Sequence, residues 1–210
     1  MKIDDISLYV NMGGMLLRGT LFQLLHLRWP RIFFMGKGSR IFGFRRFSFQ
    51  SPMKLGNYSV IDARFSDGIR VGRNFIIGDF SVIRASGSRN FHSPGIQAGN
   101  FVSFGPYTSI GGGFGVKIGD SILGGPYCSI HPENHNFADP EITIRSQGIS
   151  GVGIRIESDI WIGAKVTILD GSIVDSGAII AAGAVLRGAY PASAIIGGIP
   201  AKVLRLRAVD

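Results

Sequence analysis

The feature that most constrains this chain is an aliphatic residue that returns every six positions. Over one long stretch the series is unbroken: Ile156, Ile162, Ile168, Val174, Ile180 and Leu186. Earlier blocks carry the same period in shifted phase: Val71, Ile77, Ile83, then Ala98, Phe104, Ile110, then Ile118, Gly124, Ile130. Six matches neither the helical repeat of 3.6 nor the strand repeat of 2. A triangular coil accommodates it: each flat side points one aliphatic inward, and small or turn-prone residues take the corners. Glycine often follows the aliphatic, as in Leu55-Gly56, Val71-Gly72, Ile77-Gly78, Ile118-Gly119 and Ile162-Gly163. Stacked coils pair their strands in parallel and bury a continuous core. A two-sheet sandwich would instead need hairpin turns at irregular spacing. The period therefore predicts an all-β chain, a left-handed parallel β-helix of hexapeptide repeats, with an N-terminal helical segment and a short C-terminal extension.

The boundaries follow from where the period starts and breaks. Residues 1–36 form the amphipathic helical segment, with helix expected over 6–35 on large apolar residues such as Leu8, Met12, Met15, Leu16, Leu21, Phe22, Leu24 and Leu25. Residues 37–190 form the β-helix and 191–210 the extension. Where the phase slips, loops must project. One lies near 85–95, polar and rich in Gly and Ser; the longer one spans 131–155. Loops that leave a rigid solenoid are where function concentrates.

Composition narrows the setting. Gly occurs 31 times in 210 residues, about twice the usual ~7%, without the three-residue period of collagen. A single cysteine, Cys128, forbids a disulfide within the chain and suits a reducing, cytoplasmic compartment; it reads as a small core residue. The net charge is +8, and it is concentrated. Residues 1–54 hold nine basic side chains, Lys2, Arg18, Arg28, Arg31, Lys37, Arg40, Arg45, Arg46 and Lys54, against Asp4 and Asp5, which accounts for +7. Nucleic-acid binding does not fit, because the basic residues sit on an apolar helix without an aromatic strand platform. Two readings of the segment stand side by side: a helix packed on the first coil, or peripheral contact of residues 1–36 with an anionic membrane at its inner face. Arg18 and His26 interrupt the stretch Met12–Leu27, so neither a secretory signal nor a membrane span is expected.

The long loop opens Ile130-His131-Pro132-Glu133-Asn134-His135-Asn136-Phe137-Ala138-Asp139-Pro140 and holds two of the four histidines. An imidazole serves as general base near neutral pH without a metal. Acyl transfer would need that base together with a donor for the developing oxyanion. Asn134 and the backbone of Gly111–Gly113 are both candidates for the donor. Glu133 and Asp139 are read as solvent-facing loop charges rather than as partners of the imidazole.

His135-Asn136-Phe137-Ala138-Asp139-Pro140, Ile160-Trp161-Ile162-Gly163-Ala164, Ala181-Ala182-Gly183-Ala184-Val185 and Gly197-Gly198-Ile199-Pro200-Ala201-Lys202-Val203 together resemble the hexapeptide-repeat acetyltransferases. The resemblance covers roughly residues 55–207 and is strongest to the branch that O-acetylates surface polysaccharides such as capsule, O-antigen and colanic acid. It implies an acetyltransferase that uses acetyl-CoA as co-substrate, with no metal, assembled as a homotrimer with sites between subunits. It implies His135 as the base, with His131 as the second assignment and Asn134 beside them. It places acetyl-CoA against Ala164 and Ala182, where small side chains admit pantetheine, and its phosphates near Arg187, Lys202 and Arg205. Trp161 is read as a packing residue at a coil edge. Gly188 stands where the family often has a basic residue. Gly105 and Gly111–Gly113 stand where the small-sugar enzymes carry Asn and Asp, so galactoside or maltose specificity is not carried over. The acceptor implied is a sugar hydroxyl of a surface glycan or its precursor; the amino group of a nucleotide-linked sugar is the alternative. A γ-carbonic-anhydrase-like zinc site on the same fold would use His92, His131 and His135.

Overall fold

The structure, a computed structural model, describes residues 3–86 and 91–207, with side chains from residue 9 onward. Expectations for Lys2, for the Leu8 side chain, for residues 87–90 of the first loop and for residues 208–210 lie outside the described residues. Short strands, mostly of two or three residues, succeed one another around three faces. Among the described residues they form one nine-stranded and two seven-stranded sheets. Within each face every strand is parallel to the strand one coil before it, up to the final strand. This is the expected left-handed parallel β-helix.

The six-residue series is the inward-facing column of each face. On the second face Ile41, Ile61, Ile83, Ile110, Ile130, Ile168 and Leu186 stand in direct register. On the first face the column runs Met35, Leu55, Ile77, Phe104, Gly124, Ile162, Ile180 and Ile196. Gly124 belongs there because a Cβ would meet Phe104 Cδ1 at 2.2 Å. The Phe104 ring fills the volume an aliphatic would have taken. Burying each such side chain contributes about 1.5–3 kcal/mol. Cys128 lies in the same core, and burial pushes its thiol up to about 11.

The corner between the first and second faces departs from the expected small residues. Tyr58, Phe80, Tyr107 and Tyr127 occupy it with φ of 53°, 56°, 59° and 60°. Left-handed backbone costs a non-glycine residue about 1–3 kcal/mol. The rings answer that cost by stacking on one another, centroid to centroid at 5.5, 5.2 and 4.9 Å. The ladder starts above Gly38, where a Cβ would come within 2.5 Å of the Tyr58 ring.

The N-terminal helix, Ile3–Leu25, is shorter than the sequence suggests, and the β-helix starts earlier. Its first strand is Phe33–Met35, paired with Met53–Leu55, inside the stretch 1–36 that the sequence assigns to the helical segment. The chain turns at His26–Leu27, and Pro30, which lacks an N–H, keeps the helix from resuming. Gln23 fixes the join: its Nε2 donates to the Gly19 and Arg31 carbonyls, and its Oε1 accepts from Arg31 N–H. The helix crosses the open end of the first coil so closely that a Cβ at Gly19 would lie 1.9 Å from the Phe33 carbonyl oxygen.

At the other end Ala194–Gly198 continues the first face, and Ala201–Leu206 returns antiparallel along it. Tyr190, buried, ties this return to the last coil by donating its hydroxyl to the Ala201 carbonyl at 3.2 Å.

Gly19→Val is expected to lift the helix from the first strand and lower stability by about 1–3 kcal/mol, read from denaturant midpoints. Cys128 is expected to stay unlabelled by iodoacetamide at pH 8 in the native protein and to react on unfolding; prompt native labelling would contradict its burial.

Candidate functional site

The long loop leaves the second face at its far corner. Strand Ser129–His131 buries Ile130 and turns Ser129 and His131 outward. His131 stands in the outer column with Leu169 one coil on, while Gly111 occupies the same column one coil back. Its Nε2 hydrogen-bonds the Ser129 hydroxyl. Four residues later Asn134–His135 pairs antiparallel with Ile149–Ser150, making a short two-stranded arm. His135 is exposed on that arm, opposite Ile149, and its ring makes no hydrogen bond among the described residues.

The arm is held by one buried carboxylate that the sequence did not single out. Asp170 Oδ1 accepts the N–H groups of Val152 at 2.9 Å and Gly153 at 2.8 Å, and its Oδ2 accepts Asn134 Nδ2 at 3.1 Å. Both ends of the loop are thus tied to one side chain. The Asn134 amide is engaged in this anchor, so the Gly111–Gly113 backbone is the freer of the two candidate donors. Farther out, Asn136 Nδ2 donates to the Gln147 carbonyl, Ser150 Oγ donates to Asn136 Oδ1, and Gln147 Nε2 reaches the Asp139 and Ile142 carbonyls. These bonds stiffen a loop that has few buried side chains.

The glycine run lies directly beneath the loop root. A Cβ at Gly113 would meet Glu133 Oε2 at 1.8 Å, and one at Gly111 would meet Pro132 Cδ at 3.4 Å. Any larger residue at position 113 would displace Glu133. Neither Glu133 nor Asp139 hydrogen-bonds His135; Asp139 Oδ1 accepts Glu141 N–H instead. Around the corner, on the third face, a cleft of about 390 Å³ opens under the loop ends, lined by Pro94, Gln97, Phe114, Lys117, Val152 and Arg155.

The residues expected to meet acetyl-CoA divide into groups. Ala164 and Ala182 stack at the first-to-second corner on successive coils, Gly183 N–H donating to the Ala164 carbonyl. Gly125 and Gly163 lie beneath them, where a Cβ would meet Ala164 N at 2.7 Å and Ala182 N at 2.6 Å. This is the corner of the aromatic ladder, which stops at Tyr127, one coil below Ala164. The ladder's own column continues with Lys165, exposed and left-handed at φ 59°, and the small side chains of Ala164 and Ala182 flank it. Lys202 and Arg205 stand exposed on the returning C-terminal strand, paired with Gly197 and Ile195 of the first face. Arg187 does not join them: it lies at the opposite corner of the second face, its N–H near the Tyr190 hydroxyl. The ladder's own signal was present in the sequence, as Gly56-Asn57-Tyr58, Gly78-Asp79-Phe80, Gly105-Pro106-Tyr107 and Gly125-Pro126-Tyr127.

Two further expectations change. Trp161 is not at a coil edge; it stands mid-strand on the first face, 57% exposed, between Leu123 and Ile179 in the outward column. With Ile76 in the same column, it leaves an apolar stripe on that face. His92 does not gather with His131 and His135. Its Nε2 pairs with Asp67 Oδ1 at 2.7 Å, and among the described residues no three His, Cys, Asp or Glu side chains are placed to share a metal.

Comparison with known proteins agrees with this architecture. No protein-family model matches the chain. It is 36% identical over 139 residues to a Mycobacterium tuberculosis protein named probable acetyltransferase Rv3034c, a match covering 66% of this chain and 44% of the relative. It is 28% identical over 149 residues to WbbJ of Escherichia coli K12, named as an O-acetyl transferase of lipopolysaccharide biosynthesis, covering 67% of this chain and 73% of that one. The chain thus spans less than half the length of its mycobacterial relative. Among solved structures, the N-acyltransferase AntD of Bacillus cereus, in complex with dTDP and 3-hydroxybutyryl-CoA, superposes with a TM-score of 0.55 at 13% identity over 84% of this chain and 80% of that one, a likeness of fold. The resemblance to acetyltransferases carried by the sequence motifs is matched by these relatives.

Asp170→Ala is expected to release the loop. It should lower stability by about 2–3 kcal/mol and speed amide hydrogen exchange across residues 131–155 more than in the coils; uniform exchange would show that the loop does not depend on this anchor.

Proposed function

We propose that this relative of the acetyltransferases is itself an acetyl-CoA-dependent O-acetyltransferase, with a sugar hydroxyl of a surface glycan or its precursor, of the O-antigen or capsule type, as acceptor. The observation that carries the reading is a histidine-bearing loop, fixed through Asp170, at one edge of the second face, with a small-residue corner at the other edge. A three-residue strand spans only about 10 Å, so a thioester laid along the Ala164–Ala182 corner can present its carbonyl near the loop. Small side chains there admit a pantetheine chain, and Lys202 and Arg205 offer cations to its phosphates. Arg187, at the far corner, fits that role less well.

His135 is the assigned base. Exposed and unpartnered, it is free to accept the proton of an acceptor hydroxyl as the oxygen forms its bond to the acetyl carbon. The carbon–sulfur bond breaks, and the imidazolium returns the proton to the departing thiolate. His131, already bonded to Ser129 and lying at the loop root, is the second assignment. Backbone N–H groups of the Gly111–Gly113 run beneath the loop are the assigned donors to the developing negative charge.

The assembly we infer is a homotrimer. Supporting it is the apolar stripe of the first face, where Ile76, Leu123 and Trp161 are 40%, 64% and 57% exposed. Stripes of this kind mark association surfaces.

Thiol release from acetyl-CoA tests the reaction, with polysaccharide fragments, lipid-linked sugars, free sugars and nucleotide-linked amino sugars as acceptors. Acceptor-dependent release that falls roughly 100- to 10,000-fold in His135→Ala, with the fold intact by circular dichroism, is the expected result. A loss in His131→Ala alone would move the base to the loop root. Release only with amino sugars would turn the reading to N-acetylation. Leu123→Glu is expected to convert the trimer to monomer in sedimentation velocity.

A further inference from the structure

The helix that closes the first coil turns the wrong kind of surface to water. Its inner side is fixed to the coil through Met15, Gly19 and Gln23. Its outer side repeats apolar residues at helical spacing: Val10, Leu17, Leu21 and Leu24 are 70%, 60%, 50% and 51% exposed. A helix capping a water-exposed end carries polar residues on that stripe. The turn that follows continues the apolar surface, with Leu25 at 82%, Leu27 at 96% and Trp29 at 90%.

Charge of one sign surrounds it. From residue 6 to residue 61 the sequence holds eight Lys and Arg side chains and no carboxylate. Beside Leu25 and Leu27 a hollow of about 830 Å³ is lined by Arg28, Arg45, Arg46 and Arg64. Arg64 is spent on Asp62, through Nε at 2.9 Å and Nη2 at 2.7 Å. Arg28 lies over the Phe44 ring at 4.5 Å and reaches the Phe44 carbonyl, bonds that leave its charge uncompensated. Arg45 and Arg46, on the short turn Phe44–Arg46, are exposed, and their guanidinium groups have no hydrogen-bond or ion-pair partner among the described residues.

We infer that this end of the prism docks on an anionic phospholipid bilayer, the apolar stripe and Trp29 entering the headgroup boundary and Arg45 and Arg46 meeting lipid phosphates. Charge decides the occupant. A second copy would bring the same basic side chains against these, whereas an anionic leaflet complements them. None of the described helices is long and apolar enough to cross the membrane, so the contact is a surface one, made by a helix lying flat. The inference is independent of the reaction assigned to the histidine loop.

Vesicle co-sedimentation of the full chain tests it, with phosphatidylcholine vesicles with and without phosphatidylglycerol. The expected result is partition onto the phosphatidylglycerol vesicles, weakened by added salt and reduced at least about thirtyfold in R45E/R46E. Leu25→Glu/Leu27→Glu should lose binding as well. All four residues are exposed, so circular dichroism should not change. In Trp161→Phe, which leaves Trp29 as the single tryptophan, emission should shift to the blue on binding. Equal partition of R45E/R46E and the unaltered chain, or no partition of either, overturns the proposal. So does a change in oligomeric state of the Leu25→Glu/Leu27→Glu protein with vesicle binding intact, which would assign the surface to a second copy of the chain.

Discussion

Everything in this molecule depends on parallel register without slip. Each strand meets the strand one coil earlier at the same depth, so that on the second face isoleucine lies on isoleucine from Ile41 to Ile168. A slip of one residue would turn a whole column outward. The pairing also repeats the corners, which is why a stacked aromatic ladder can form at all. Left-handed backbone recurs at Tyr58, Phe80, Tyr107 and Tyr127, and each ring lies on the next. Rigidity of this order frees the projecting loop from any structural duty to the core.

That loop shows how an exposed segment keeps a shape. It buries little, and its geometry comes from polar bonds converging on Asp170 at its base and on Gln147 near its tip. Asp170 at the base is buried, and the tip is open. His135, carried between them, is both positioned and reachable.

Most of the fold was legible in the sequence because the six-residue column is a one-to-one image of the core. Even the apparent gap at Gly124 is consistent, once Phe104 is seen to fill it. The loop was legible as a break in phase, with two histidines in it. The N-terminal boundary was not, since Ile32, Phe33 and Phe34 suit a helix as well as a strand until pairing with Met53–Leu55 decides. Asp170 was silent for a different reason. It follows Leu169 in an ordinary repeat, and only folding places it opposite Val152, Gly153 and Asn134. The placement of Arg187 was not legible either, because sequence order does not say which corner of a triangle a residue occupies.

The two ends of the prism are closed in unlike ways, by a helix at one and by an antiparallel return at the other. On the first face neither end leaves an open parallel edge, since the helix lies against Phe33–Met35 and the return pairs with Ala194–Gly198, so that face has a fixed number of steps. A rod of fixed step count is a ruler. The strand that bears His131 lies four pairings above the first strand of its face, and at about 4.8 Å per pairing that places it about 19 Å up the rod. Inserting one whole coil would keep the register of the others and change that height by a single step. Such a variant would separate the chemistry of the loop from its elevation above whatever the base rests on.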